Sequence, residues 1–218
     1  MSKVYIISAP SGAGKTSLVK GACESIPFVK PSISYTTRNV RDSEIDGRDY
    51  YFIDRETFDT KIRNNDFLEF QDVYGNLYGS TLESVLSITS TGADVILEID
   101  YQGMLAVKSV LPDAVSIYII PPSIDALKER LEYRGEDETE VINKRMASSV
   151  KEMDYAKYAD YVIVNDDFNY ALDALKGIII FNHVMDSDLT CWAKKLINLN
   201  KPHCLKSFIW YNYNINKR

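Results

Sequence analysis

The chain has 218 residues, 45% of them apolar and 26% charged, with a formal net charge of −6. That length and balance suit one globular domain with a sizeable core and exclude a disordered chain. The acidic surplus argues against a non-specific nucleic-acid binder, and no apolar run approaches a membrane span, so neither nucleic acid nor a membrane is an expected partner.

Three cysteines, Cys23, Cys191 and Cys204, lie far apart without a CxxC pair, which indicates neither a zinc site nor a disulfide framework. The early apolar run, Val4 to Ile7, is too short for a signal peptide. Reduced thiols in a cytoplasm are the expectation.

In chain order, VYIIS (Val4–Ser8) predicts a buried strand. APSGAGKTSL (Ala9–Leu18) follows it directly. Gly14, Lys15 and Thr16 fit the second half of the phosphate-loop pattern G-x-x-x-x-G-K-[ST], with Ala9 where the first glycine would stand. Such a loop curls backbone N–H groups around phosphate oxygens and aims a helix N-terminus at them. Ser11, Gly12, Ala13, Gly14, Lys15, Thr16 and Ser17 are therefore the candidate nucleotide-phosphate residues. Lys15 adds a mobile charge, and the Thr16 hydroxyl suits magnesium. The plain alternative is a Gly-rich turn without a ligand; the position after a buried strand, together with GKT, favours the phosphate.

From about Pro31 to Thr81 the chain changes character, becoming rich in Tyr, Thr, Asp and Arg. SISYT, DYYFI and FLEFQDV have strand character, and Phe58 and Ile62 mark a short helix around Glu56–Ile62. This stretch reads as a small insertion with its own sheet. Arg38 and Arg41 stand three apart in SYTTRNVR, near enough to converge on one phosphate dianion, although a solvated loop explains them equally well. Tyr50 and Tyr78 could add hydroxyl donors. In FLEF, strict alternation puts Glu69 on one face with Phe67 and Gln71, opposite Leu68 and Phe70. From the residues alone, a solvent-facing carboxylate is the better reading of Glu69. The functional reading is an acceptor for the ring N1–H and exocyclic amine of guanine, a donor pair that adenine lacks.

VILEI (Val95–Ile99), VSIYII (Val115–Ile120) and YVIVN (Tyr161–Asn165) predict further buried strands of a parallel sheet. Asp100 reads as the N-cap of a helix over Tyr101–Val110, and Ser123 as another N-cap after Pro121-Pro122. Glu129–Lys151 is strongly charged and helical in pattern, so Arg134 and Arg145 could simply be salt-bridged surface. Ala171, Leu175, Ile178, Ile179 and Asn182 share one helical face. Strands alternating with helices predict an α/β fold. After about Cys191 the periodicity fades.

APSGAGKT, SYTTRNVR, GRDYYF, FLEF, YGNLYGST, ILEIDYQG, RLEYRG, NKRM and VNDD, in this order and spacing, resemble the guanylate kinase family from roughly Lys3 to Leu189. The resemblance implies a P-loop kinase core with a parallel sheet flanked by helices, a small GMP-binding β-rich insertion and a helical lid. It divides the chain into a core (1–31, 82–121 and 152–190), an insertion (32–81) and a lid (122–151), leaving 191–218 as an extension. The implied activity is transfer of the ATP γ-phosphate to GMP or dGMP with Mg2+, giving GDP and ADP in purine nucleotide metabolism. Matched position by position, Ser34, Glu69 and Ser80 contact the base, and Arg38, Arg41, Tyr50 and Tyr78 contact the GMP phosphate. Glu98, often Asp in the family, and Asp100 join the GMP-binding set; Asp100 also matches the acidic residue of the magnesium shell, reached through water, with Thr16 the magnesium ligand. Arg134 and Arg145, and more weakly Arg130, match lid arginines. Asn165 and Asp166 match the pair beside adenine. Monomer and homodimer both remain open.

Overall fold

The four uninterrupted apolar runs become four strands of a five-stranded, wholly parallel sheet, and the short segment VKP, which is not such a run, adds the fifth. The computed structural model of the chain describes residues 2–73, 75–133 and 139–185. Five strands, β1 (Val4–Ser8), β2 (Val29–Pro31), β7 (Asp94–Glu98), β8 (Val115–Ile120) and β9 (Tyr161–Val164), run in the order β2-β7-β1-β8-β9. Each inner strand is buried on both faces, which explains why its sequence does not alternate.

Helices cover the two faces. On one side α1 (Lys15–Ser25) and α7 (Phe168–Met185) pack Leu18, Ala22, Ala171, Leu175 and Ile179 against Tyr5, Ile7 and Ile117. The expected apolar face of α7 is thus the one that is buried. On the other side α3 (Leu82–Thr89) and α4 (Tyr101–Val110) pack Val85, Met104 and Val107 against Ile6, Leu97 and Tyr118. Consecutive β1 residues feed opposite cores, as the pleat requires. Burying each of these aliphatic side chains stabilises the fold by about 1.5–3 kcal/mol. Asp100 caps α4 through the Gly103 N–H at 2.8 Å, and Ser123 accepts from the Ala126 N–H at 3.0 Å ahead of α5 (Ile124–Tyr133). A further helix, α6 (Thr139–Met153), returns to the core and ends in a 3-10 turn at Asp154–Tyr158. Among the described residues, no helix is long and apolar enough to cross a membrane.

The insertion has its own four-stranded mixed sheet, ordered β4-β3-β6-β5. It comprises β3 (Tyr35–Thr36), β4 (Tyr51–Phe52), β5 (Phe67–Val73) and β6 (Asn76–Thr81), with α2 (Arg55–Arg63) beside it. Here strict alternation in FLEF fails. The β5–β6 register shifts between Phe67, opposite Thr81, and Glu69, opposite Ser80. This bulge inserts one unpaired residue and changes which face the next side chains take. Phe67 and Phe70 consequently lie together against Gly79, where an added Cβ would meet them at 2.8–3.0 Å. Leu68 joins the α3/α4 core, and Glu69 turns in towards α4 instead of facing solvent.

Candidate active site

Parallel sheets present ligand sites at the C-terminal ends of their strands. The phosphate loop after β1, Glu98 at the end of β7, Asp100 just beyond it, and Asn165 after β9 all fall on that edge.

Gly12 and Gly14 bend the loop with φ of 86° and 89°, a region that L side chains avoid. Gly14 is the N-cap of α1, and no side chain caps that helix. The first-turn N–H groups therefore remain available to an anion. Ala9, in place of the pattern's first glycine, is buried in the α1/α7 core, so its methyl group packs inward. The Asn165 side-chain amide donates to the Ala13 carbonyl at 2.7 Å from a buried position. A Cβ on Gly14 would meet that amide nitrogen at 2.4 Å. Asn165 thus braces the loop, whereas Asp166 beside it is exposed. Arg130 donates to the Asn165 carbonyl at 2.8 Å, and its other terminal nitrogen, Nη1, is buried without a hydrogen-bond partner.

Lys15 Nζ donates to the Ile99 carbonyl at 2.8 Å, and the Thr16 hydroxyl donates to Glu98 Oε1 at 2.5 Å. The P-loop hydroxyl and the β7 carboxylate therefore already meet. Hard oxygen donors of this kind suit Mg2+, which keeps waters and substrate oxygens as its other ligands. Among the described residues no group of three or more His, Cys, Asp or Glu is placed to hold a metal ion.

Across from the loop, Ser34, Glu69 and Ser80 are 8%, 7% and 0% exposed. Glu69 Oε1 accepts the Ser80 N–H at 3.1 Å, and the Ser34 and Ser80 hydroxyls pair at 2.9 Å. Gly103 of α4 leaves room for the other carboxylate oxygen, since a Cβ there would stand 2.7 Å from Oε2. Burial pushes Glu69 up to about 7; the Asp100 charge adds to this, while Ser80 and Lys15 pull against it. A buried carboxylate with unspent acceptor capacity is costly without a partner.

Around Tyr78, two residues before Ser80 on β6, a set of donors gathers. Arg38 is held on three sides, by Tyr78 Oη at 3.2 Å, the Asn39 carbonyl at 2.6 Å and Glu44 Oε1 at 2.7 Å. Its guanidinium has five N–H groups, so two remain to offer. Glu44 also accepts the Arg41 N–H through Oε2 at 2.9 Å, which fixes the two arginine positions relative to each other. Those hydrogen bonds and Arg38 hold Glu44 below the usual carboxylate range despite its partial burial. Tyr50 packs edge-on to Tyr78 with centroids 5.9 Å apart, and burial raises its hydroxyl well above the ordinary value, so it stays a donor. Arg41 itself is exposed. Arg134 lies outside the described residues, as does the extension 191–218, and for Arg145 only its place on α6 is described.

Glu44 is absent from the sequence-based site. Its position three residues after Arg41 was the available signal, but a carboxylate in a charged loop is not informative by spacing alone.

The guanylate kinase family profile matches residues 1–181. A guanylate kinase of Pseudomonas fluorescens is 48% identical over 181 residues, covering 83% of this chain and 88% of that one. One from Psychrobacter arcticus is 49% identical over 177 residues, covering 81% and 85%. Among solved structures, the guanylate kinase crystal structure from Anaplasma phagocytophilum superposes with a TM-score of 0.68 at 29% identity, covering 83% and 86%. Phosphate loop, parallel core, β-rich insertion and these likenesses agree: the chain belongs to the guanylate kinase family of P-loop nucleoside monophosphate kinases, and it is a phosphotransferase.

Proposed function

We propose that this chain transfers the γ-phosphate of ATP to GMP, and to dGMP, releasing GDP and ADP. The observation that carries the reading is Glu69: a buried carboxylate, backed by Ser80 and Ser34, in a protein with an intact phosphate loop. Guanine offers N1–H and the exocyclic amine side by side, and a carboxylate accepts from both. Adenine would leave that buried acceptor unpaired, which is worth orders of magnitude in discrimination. The reading assigns no residue to the ribose 2′-hydroxyl, so dGMP is expected to be accepted as well.

The division of labour follows. The insertion (32–81) takes the acceptor: Ser34, Glu69 and Ser80 read the base, and Arg38, Arg41, Tyr50 and Tyr78 hold its phosphate. The core (1–31, 82–121, 152–190) takes ATP on Ser11–Ser17, with Asn165 bracing the loop. The lid (122–151) brings Arg134 and Arg145 over the transferring group. Thr16 and Glu98 would hold Mg2+, with Asp100 in its outer shell; the ion would supply charge neutralisation on the ATP phosphates. The acceptor phosphate is largely dianionic near neutrality, its second pKa being about 6, so no general base is required. What the protein's own residues do is align two polyanions and exclude water.

Calorimetric titration with GMP, IMP and AMP tests the recognition step. IMP keeps N1–H and lacks the amine, and AMP lacks the donor pair. Affinity falling in the order GMP, IMP, AMP supports the reading, and AMP binding as tightly as GMP sinks it.

A further inference from the structure

Glu69 and Asp100 gather about one glycine. Asp100 Oδ1 accepts the Gly103 N–H at 2.8 Å, and Glu69 Oε2 lies so near that a Cβ on Gly103 would stand 2.7 Å from it. Glu69 is buried, and its other oxygen, Oε1, accepts the Ser80 N–H at 3.1 Å. Among the described residues no arginine or lysine is bonded to it. Helix α4 brings the Asp100 carboxylate, β6 brings the neutral Ser80, and Lys15 of α1 acts from a distance, its ammonium donating to the Ile99 carbonyl at 2.8 Å. Two carboxylates around one backbone position, one of them buried without a bonded cation, are costly to ionise together. The cheaper arrangement puts a proton on Glu69, in keeping with the lift that burial gives it, to about 7.

The two protonation states read different bases. Ionised, the carboxylate only accepts; neutral, it offers one O–H donor beside an acceptor. Guanine shows two donors, N1–H and the C2 amine, and fits the ionised form. A purine with a bare N1 and an amine at C2, such as 2-aminopurine or 2,6-diaminopurine, shows an acceptor and a donor in the same two places and fits the neutral form. Adenine also has a bare N1, but its C2 carries only hydrogen, so half of the neutral carboxyl goes unpaired. The Ser34 and Ser80 hydroxyls, paired at 2.9 Å, turn to donate or to accept, and so suit either an oxygen or an amine at C6.

We propose that Glu69 holds a proton before a base binds, that guanine expels this proton to solvent, and that the protonated form selects a second class of nucleotide, the monophosphates of 2-aminopurines with a bare N1. The proton is the one group that moves: it leaves the Glu69 carboxyl for water or buffer, and guanine keeps its own N1–H. Specificity then depends on pH, guanine being favoured above neutrality and the 2-aminopurine class below it. The inference rests on the guanine reading of Glu69 given above and adds to it the proton and the second ligand class.

Calorimetric titration of the full chain with GMP and with 2,6-diaminopurine riboside monophosphate, at pH 6, 7 and 8, isolates the proton. Both ligands carry the same titrating phosphate, so its effect cancels in the ratio of their affinities. With Glu69 titrating at about 7, GMP gains about tenfold from pH 6 to pH 8 and the diaminopurine ligand loses about tenfold, so the ratio should move by about a hundredfold towards GMP. In Glu69→Gln the amide is a fixed donor and acceptor. That variant should bind the diaminopurine ligand at pH 8 about tenfold more tightly than the wild type does, with a ratio that pH leaves unchanged. A wild-type ratio constant within about twofold across this range overturns the proposal without recourse to any variant. So does a Glu69→Gln protein that gains nothing for the diaminopurine ligand. GMP binding no tighter than AMP at pH 8 refutes the guanine reading itself, whereas GMP tighter than AMP with a flat ratio refutes the proton alone.

Discussion

Replacing Glu69 by Gln should make the empty protein more stable and the enzyme much worse. Burial lifts the Glu69 pKa from the ordinary 4.5 to about 7. Between those values the unfolded chain has already released the proton that the folded protein keeps. Ionised Glu69 therefore destabilises the fold increasingly as pH rises from about 4.5 to about 7, and fully above that. A rise of about 2.5 in pKa corresponds to about 3 kcal/mol. Gln matches the shape, keeps an oxygen for the Ser80 N–H and carries no charge, so at pH 8 the variant should gain up to about that amount. For a chain of this size the gain is on the order of 5–10 °C in Tm. At pH 5 wild-type Glu69 is largely protonated, and the difference should shrink towards zero. Meanwhile kcat/KM for GMP should fall by at least about a hundredfold, because the amide cannot accept from both guanine donors. Thermal melts of both proteins at pH 5 and pH 8, paired with steady-state kinetics, check each half. A variant less stable than wild type at pH 8, or a stability difference unchanged by pH, refutes the reasoning.

Further substitutions probe the remaining parts. Gly103→Ala places a Cβ 2.7 Å from Glu69 Oε2; the KM for GMP should rise about tenfold with the KM for ATP unchanged, read by steady-state kinetics. Asn165→Ala leaves the Ala13 carbonyl without its buried donor; denaturant unfolding should show a loss of about 1–3 kcal/mol, and the KM for ATP should rise. Arg145→Ala should lower kcat by about a hundredfold or more while GMP binding stays within about twofold, the outcome that the proposed role on the transferring group requires. Equal losses in GMP affinity with kcat intact would contradict that role.

What was legible in the sequence was local. β1 and β8 begin and end where their apolar runs do, and α4 spans the expected Tyr101–Val110, because a buried strand or a capped helix is specified by its own residues. The phosphate loop was equally plain, its chemistry being contiguous. β6 was harder to see: NLYGST is polar and holds a glycine, and its strand form depends on pairing with β3 and β5. The inward turn of Glu69 was hidden for the same reason. Alternation predicts a face only for an unbroken register, and the bulge beside Leu68 is a property of two strands together. Glu44 illustrates a further limit, since it matters through Arg38, a partner brought near by folding. The bracing of Ala13 by Asn165 joins residues 152 positions apart.

The most direct test of the central claim is an ADP-release assay with ATP and Mg2+, offering GMP, dGMP, AMP, CMP, UMP and ribose phosphates separately. Turnover confined to GMP and dGMP is the result predicted from the Glu69 pocket beside an intact phosphate loop. Turnover of AMP or of ribose phosphates, or none with GMP, would contradict it.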